Sequence, residues 1–198
     1  MLNHAIYKMC LFLCAGAVVY QVGTANLEKL GGLAKKMPLT FACFVVAAMA
    51  ISGVPPFNGF VSKWMIYTAT LEVAQKNPAY IAYAIVAVLA STLTLASFIK
   101  LIHGVFLGSP IAEIENVKEA SWWMKTPMLC LAALCIFFGI YPAFPVGYLI
   151  GPAVYQLTNM PPLPMPQYFP YIIETNLVTW TPLLALILIL VALTIGPT

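Results

Sequence analysis

The sequence predicts an all-α fold: a polytopic transmembrane helix bundle of about five crossings, one of them a discontinuous helix broken near residues 53–59. Three observations predict it. Of the 198 residues, 62% are hydrophobic and 8% are charged, whereas about a quarter of the residues of soluble domains are charged. Apolar runs of spanning length recur along the chain, separated by short polar or Pro/Gly-rich joints. The run from 38 to 75 is too long for one straight crossing, roughly 55 Å as a helix against a hydrocarbon core of about 30 Å. It is interrupted in its middle by Gly53-Val54-Pro55-Pro56-Phe57-Asn58-Gly59.

The first span covers residues 1 to about 22 and ends at Gly23-Thr24-Ala25-Asn26. It opens with His4 and Lys8, and no small-residue cleavage site follows a short apolar run, so the stretch is expected to remain as a span. A polar connection with three lysines follows, and its Gly31-Gly32 pair reads as a turn because no phosphate-loop pattern continues from it. The broken segment comes next: two prolines remove backbone donors, and Gly53 and Gly59 can take left-handed φ, so one helix ends and another starts. Lys76-Asn77-Pro78 makes a tight turn, and residues 79–107 a long span with Lys100 and His103 near its end. Residues 108–125 form a connection closed by Trp122 and Trp123 as interface anchors. A span over 127–141 is followed by a proline-rich stretch, 142–170, whose Met160–Pro166 segment reads as polyproline II. A last apolar helix is expected over 177–195. Two regions result: 1–107, with three crossings including the broken helix 38–75, and 108–198, with the connection, a further span, the proline-rich segment and a C-terminal helix.

Counting the broken segment once puts alternate connections on one side. Connections 24–37 and 108–126 hold Lys29, Lys35, Lys36, Lys118 and Lys125, while 72–78 and 142–176 hold only Lys76. By the positive-inside rule the first pair faces the cytoplasm, or a mitochondrial matrix.

The remaining basic residues lie inside apolar helices: His4 with Lys8, Lys63, and Lys100 with His103. A charge at membrane depth costs at least about 2.5–3.5 kcal/mol, so such groups face a polar interior or snorkel to the interface. Lys63 follows the break, where the helix dipole also disfavours a cation. A lysine after a Pro/Gly-broken segment points to an ion path in a transporter. For Lys8 an ion-path role is favoured over snorkelling. Lys100 and His103 read equally as a proton exit and as an interfacial anchor. All five cysteines fall in apolar runs; Cys10 and Cys14, one turn apart, suit a metal or redox pair, but the favoured reading is small hydrophobes, with no metal site.

The formal charge of +3 is too small and dispersed to suggest nucleic acid. No Ser-His-acid set, carboxylate pair, Cys/His metal cluster or nucleotide loop can be assembled, so no active-site chemistry is expected on the chain.

Asn3-His4-Ala5-Ile6-Tyr7-Lys8 through Leu11-Phe12 to Gly16 resembles the H-A-x-x-K-x-x-L-F-x-x-x-G signature of the proton-antiporter-like membrane subunits. That superfamily is shared by respiratory complex I, Mrp-type antiporters and energy-converting membrane hydrogenases. Leu30-Gly31-Gly32-Leu33 through Pro38 resembles its L-G-G-L-x-x-x-x-P connection, and Gly53 to Trp64 its broken helix with a channel lysine. The N-G-F-V-S-K-W form is nearest the hydrogenase-related branch. The resemblance implies a proton path through His4, Lys8 and Lys63, with no cofactor on this chain. It also implies that the first antiporter repeat is absent, the chain being the C-terminal part of a split subunit or a fragment, so another membrane chain is expected to supply it.

The expected function is a proton-translocating antiporter-like subunit of a membrane-bound respiratory or hydrogenase-type redox complex, in a prokaryotic cytoplasmic or mitochondrial inner membrane. The redox centres would lie on other subunits. Two alternatives stay open: a subunit of a secondary Na+/H+ antiporter, and a non-transporting structural subunit.

Overall fold

The computed structural model describes residues 1–109, 117–158, 173–174, 179–180, 185–189 and 191. Helix α1 spans Leu2–Val22 and stops at Gly23, whose φ of 79° needs no Cβ and whose N–H reaches the Val19 carbonyl at 2.8 Å. Helix α2, Pro38–Ser52, starts on a proline, where the missing N–H would have had no partner in any case. Helix α3 is Asn58–Ala74, and α4 is Tyr80–Ile102, which runs on into a π-helical turn, His103–Leu107. Helix α5 spans Trp122–Ile140, and α6, Gly151–Thr158, follows a π-helical turn over Pro145–Ile150. A two-residue antiparallel pairing joins β1, Ile173–Glu174, to β2, Thr179–Trp180.

Among the described residues, three helical stretches are long and apolar enough to cross a membrane: Leu2–Val22, Tyr80–Leu107 and Trp122–Ile140. Helix α2 ends at Ser52 and α3 begins at Asn58, so residues 53–57 are not helical.

Two boundaries differ from expectation. The fourth span begins at Trp122 rather than after Pro127, because Pro127 removes only one bond near the helix start and is accommodated inside α5. Its Trp122 and Trp123 form the first turn of that helix. Within the proline-rich stretch, residues 143–158 are helical, with Pro145 in the first turn, where a donor is dispensable. The polyproline reading of Met160–Pro166 lies outside the described residues. The last helix does not start at 177, because Thr179–Trp180 pairs with Ile173–Glu174; residues 185–189 are helical.

The chain divides into two compact units. The first comprises Met1–Ser52 and Leu89–Cys135. Here α1 packs on α2 through small residues, with Cys10, Cys14, Ala17, Ala47 and Ala50 wholly buried, which lets the helices approach closely. The Cys10 thiol lies toward the Cys43 and Met128 carbonyls, its Sγ at 3.8 and 3.6 Å. Phe106 fills the space beside Phe41 and Phe44, ring centres 5.2 Å from each. The two lysine-rich connections meet at one end of this unit. The Glu119 carboxylate accepts the Leu39 N–H at 2.8 Å and the Thr40 hydroxyl at 2.7 Å, capping α2. Gln21 reaches the Glu119 carbonyl at 3.5 Å, and a Cβ on Gly31 would strike the Ser109 carbonyl oxygen.

The second unit comprises Gly53–Val88 and Ile136–Thr198. The Tyr67 hydroxyl of α3 reaches the Ala87 carbonyl of α4 at 3.5 Å. At the end of α5, Phe137, Phe138, Tyr141 and Phe144 form an aromatic cluster with ring centres 5.8–6.5 Å apart. Along α4 most side chains are exposed, from Tyr80 and Tyr83, whose rings meet at 5.5 Å, to Lys100.

Candidate ion-path site at the helix interruption

The interruption is held by few backbone bonds because its sequence offers few donors. Pro55 and Pro56, joined by a cis peptide, have no N–H. Phe57 donates to the Val54 carbonyl and Phe60 to the Phe57 carbonyl, each at 3.1 Å, and these turns lead into α3. Gly53 has φ +81°, a conformation that costs other residues about 1–2 kcal/mol. Asn58 and Gly59, which begin α3, are buried.

Lys63 sits in the second turn of α3, half-buried, with its stem laid over Gly53. A Cβ built on Gly53 would lie 2.6 Å from the Lys63 Cδ, 3.4 Å from Cε and 3.5 Å from Nζ. The glycine therefore serves twice: it takes the left-handed turn that ends α2, and it leaves the space the lysine stem fills. Beside it, Phe60 and Trp64 stack with ring centres 5.9 Å apart.

The end of α5 closes the other side. A Cβ on Gly139 would collide with the Pro56 carbonyl oxygen and would lie 2.5 Å from the Phe57 carbonyl carbon and 2.7 Å from the Asn58 nitrogen. Helix α5 thus meets the interrupted backbone directly, with no side chain between them. A glycine inside an apolar span is the sequence signal for such a contact, but nothing in the sequence says which backbone it meets.

The other predicted residues lie in the first unit. His4 is exposed, with Nδ1 3.2 Å from the Tyr7 hydroxyl and the two rings edge to face at 5.3 Å. The Lys8 ammonium lies 5.9 Å from the centre of the Phe12 ring, a cation–π contact within its own helix. Lys100 and His103 are exposed, His103 at the start of the π-helical turn. Lys63, Gly53, Pro55, Pro56 and Gly59 are thus brought together in one unit, and His4, Lys8, Lys100 and His103 in the other. No group of three or more His, Cys, Asp or Glu able to hold a metal occurs among the described residues.

Two residues that read from sequence as parts of a solvated connection have other surroundings. Glu119 caps α2, and Lys125 is only 8% exposed, its ammonium 3.9 Å from the centre of the Trp122 ring. The solvated reading of Lys125 is corrected accordingly: the adjacent aromatic face takes the place of water.

Comparison with known proteins adds the following. Residues 1–94 match the family described as NADH:quinone oxidoreductase/Mrp antiporter, transmembrane region. A probable A/B-type K(+)/H(+) antiporter subunit of Rhizobium meliloti (strain 1021) is 37% identical over 153 residues, 77% of this chain and 15% of that protein. An A1-type Na(+)/H(+) antiporter subunit of Staphylococcus haemolyticus (strain JCSC1435) is 35% identical over 167 residues, 81% of this chain and 21% of that protein. The chain therefore spans about a fifth or less of the length of these relatives. Among solved structures, a chain of the membrane-bound sulfane sulfur reductase, an archaeal respiratory membrane complex, matches with TM-score 0.77 and 29% identity, covering 98% of this chain and 30% of that one. A chain of the Mrp complex from Dietzia sp. DQ12-45-1b matches with TM-score 0.62 and 30% identity, covering 70% of this chain and 33% of that one.

Proposed function

The chain is an integral, antiporter-like membrane subunit whose residues 1–94 belong to the NADH:quinone oxidoreductase/Mrp antiporter family, and on that premise we propose that it carries part of a proton path in a multi-subunit membrane redox complex. The observation that carries this reading is Lys63 lying over Gly53 immediately after the helix interruption. A lysine at that place, inside an apolar segment and beside irregular backbone, is worth its solvation cost where it handles a cation or a proton. Helices α2 and α3 together form one discontinuous crossing in this reading. His4 and Lys8 on α1, and Lys100 with His103, are the further residues assigned to proton handling in this reading. Other membrane subunits cover the surfaces this chain leaves exposed and hold the redox centres.

A second reading, a subunit of a secondary Na+/H+ antiporter, is favoured by the names of the Rhizobium and Staphylococcus relatives. The redox reading is preferred because the sulfane sulfur reductase chain matches nearly the whole of this one and the Mrp chain matches less of it. Purification of the native complex separates the two, since only the first predicts iron–sulfur or flavin-bearing neighbours.

The test of the path itself is Lys63→Ala in the intact complex, reconstituted in vesicles. Assembly is expected to persist and proton transport to fall by about tenfold or more. Transport at the wild-type rate overturns the reading.

A further inference from the structure

We propose that Gly139, at the end of α5, is a positioning residue for the ion path: its missing side chain lets α5 close on the Pro56–Asn58 backbone, and that contact sets the interruption on which Lys63 rests. The inference builds on the reading of Lys63 above, but its first observable is the interruption itself.

The geometry is direct. Three consecutive backbone groups, the Pro56 carbonyl oxygen, the Phe57 carbonyl carbon and the Asn58 nitrogen, occupy the place where a Cβ of residue 139 would stand. These are main-chain atoms, not the far end of a flexible side chain, so one added methyl group must displace either the interruption or the end of α5. The interrupted stretch has little to resist displacement. Two of its residues are prolines without donors, and its turns rest on single backbone hydrogen bonds. Irregular backbone at membrane depth is tolerated only where protein buries it or water fills a cavity beside it, and here Gly139 supplies a protein surface. The effect reaches Lys63 by a short route: the lysine stem lies on Gly53, which begins the same stretch. Gly139 touches none of the ions and none of the titrating groups; it acts through the shape of the backbone that carries them.

The experiment uses the intact complex in lipid nanodiscs and in vesicles, wild type and Gly139→Ala. Amide exchange of the peptide covering residues 53–62 is followed beside that of an α1 peptide, and proton transport is measured per assembled complex. In the wild type, the 53–62 peptide is expected to exchange about tenfold or more slowly than the exposed residues 25–29. In Gly139→Ala its exchange is expected to rise about tenfold while the α1 peptide keeps its rate, and transport is expected to fall severalfold. Unchanged exchange at 53–62 in the variant overturns the proposal. So does an equal rise in every peptide, which is general loosening, and so does raised exchange at 53–62 with normal transport. Should Gly139→Ala fail to assemble, fast exchange of the 53–62 peptide in the wild type overturns the proposal by itself. Failure of the underlying reading is seen separately, as normal transport in Lys63→Ala.

Discussion

The Glu119 carboxylate accepts the hydroxyl of Thr40 at 2.7 Å across 79 residues of sequence. With the Leu39 N–H it satisfies donors at the first turn of α2, and its own neighbour Ala120 adds a third bond at 3.1 Å. A negative group at a helix N-terminus is favoured both by those bonds and by the dipole.

Glu119→Ala is therefore expected to destabilise the first unit by about 1 kcal/mol, and Glu119→Gln by less, since the amide oxygen can still accept. Thermal unfolding of the purified complex reads the difference. An Ala variant as stable as the wild type would mean that the cap contributes nothing.

Gly53→Ala carries two penalties at one position. The left-handed backbone is strained by about 1 kcal/mol or more for any residue with a Cβ, and that Cβ would stand 2.6 Å from the Lys63 Cδ. Transport per assembled complex should fall toward the level of Lys63→Ala, even where enough complex assembles to measure. Normal transport in an assembled Gly53→Ala complex would separate the glycine from the lysine.

The cysteines offer a test of packing. Cys10, Cys14, Cys43 and Cys135 are buried and Cys130 is exposed. N-ethylmaleimide should modify at most one thiol per chain in the folded complex and all five after denaturation, counted by mass. Two or more labelled thiols before denaturation would contradict the buried core between α1 and α2.

The interruption at 53–57 is legible in the sequence because glycine and proline act locally: a missing donor or a left-handed φ needs no knowledge of neighbours. The meeting of the 24–37 and 108–126 connections is legible through the lysine count, which reports topology. What packs on the interruption is not legible, since Gly139 is one of several glycines in apolar runs and its function depends on an approach between distant segments. Glu119 and Lys125 are hidden for a related reason. A charged residue in a connection has the same sequence signature whether water, a helix end or an indole ring satisfies it.

Helix α4 works as a ruler. From the tyrosine pair that begins at Tyr80 to Lys100 is 20 residues, about 30 Å of rise, which is the thickness of a bilayer's hydrocarbon layer. When the tyrosine rings mark one face of that layer, Lys100 and His103 stand at the opposite face, within reach of bulk water. Measured this way, the pair stands at the edge of the hydrocarbon layer, and any barrier to a charge lies with residues nearer mid-depth.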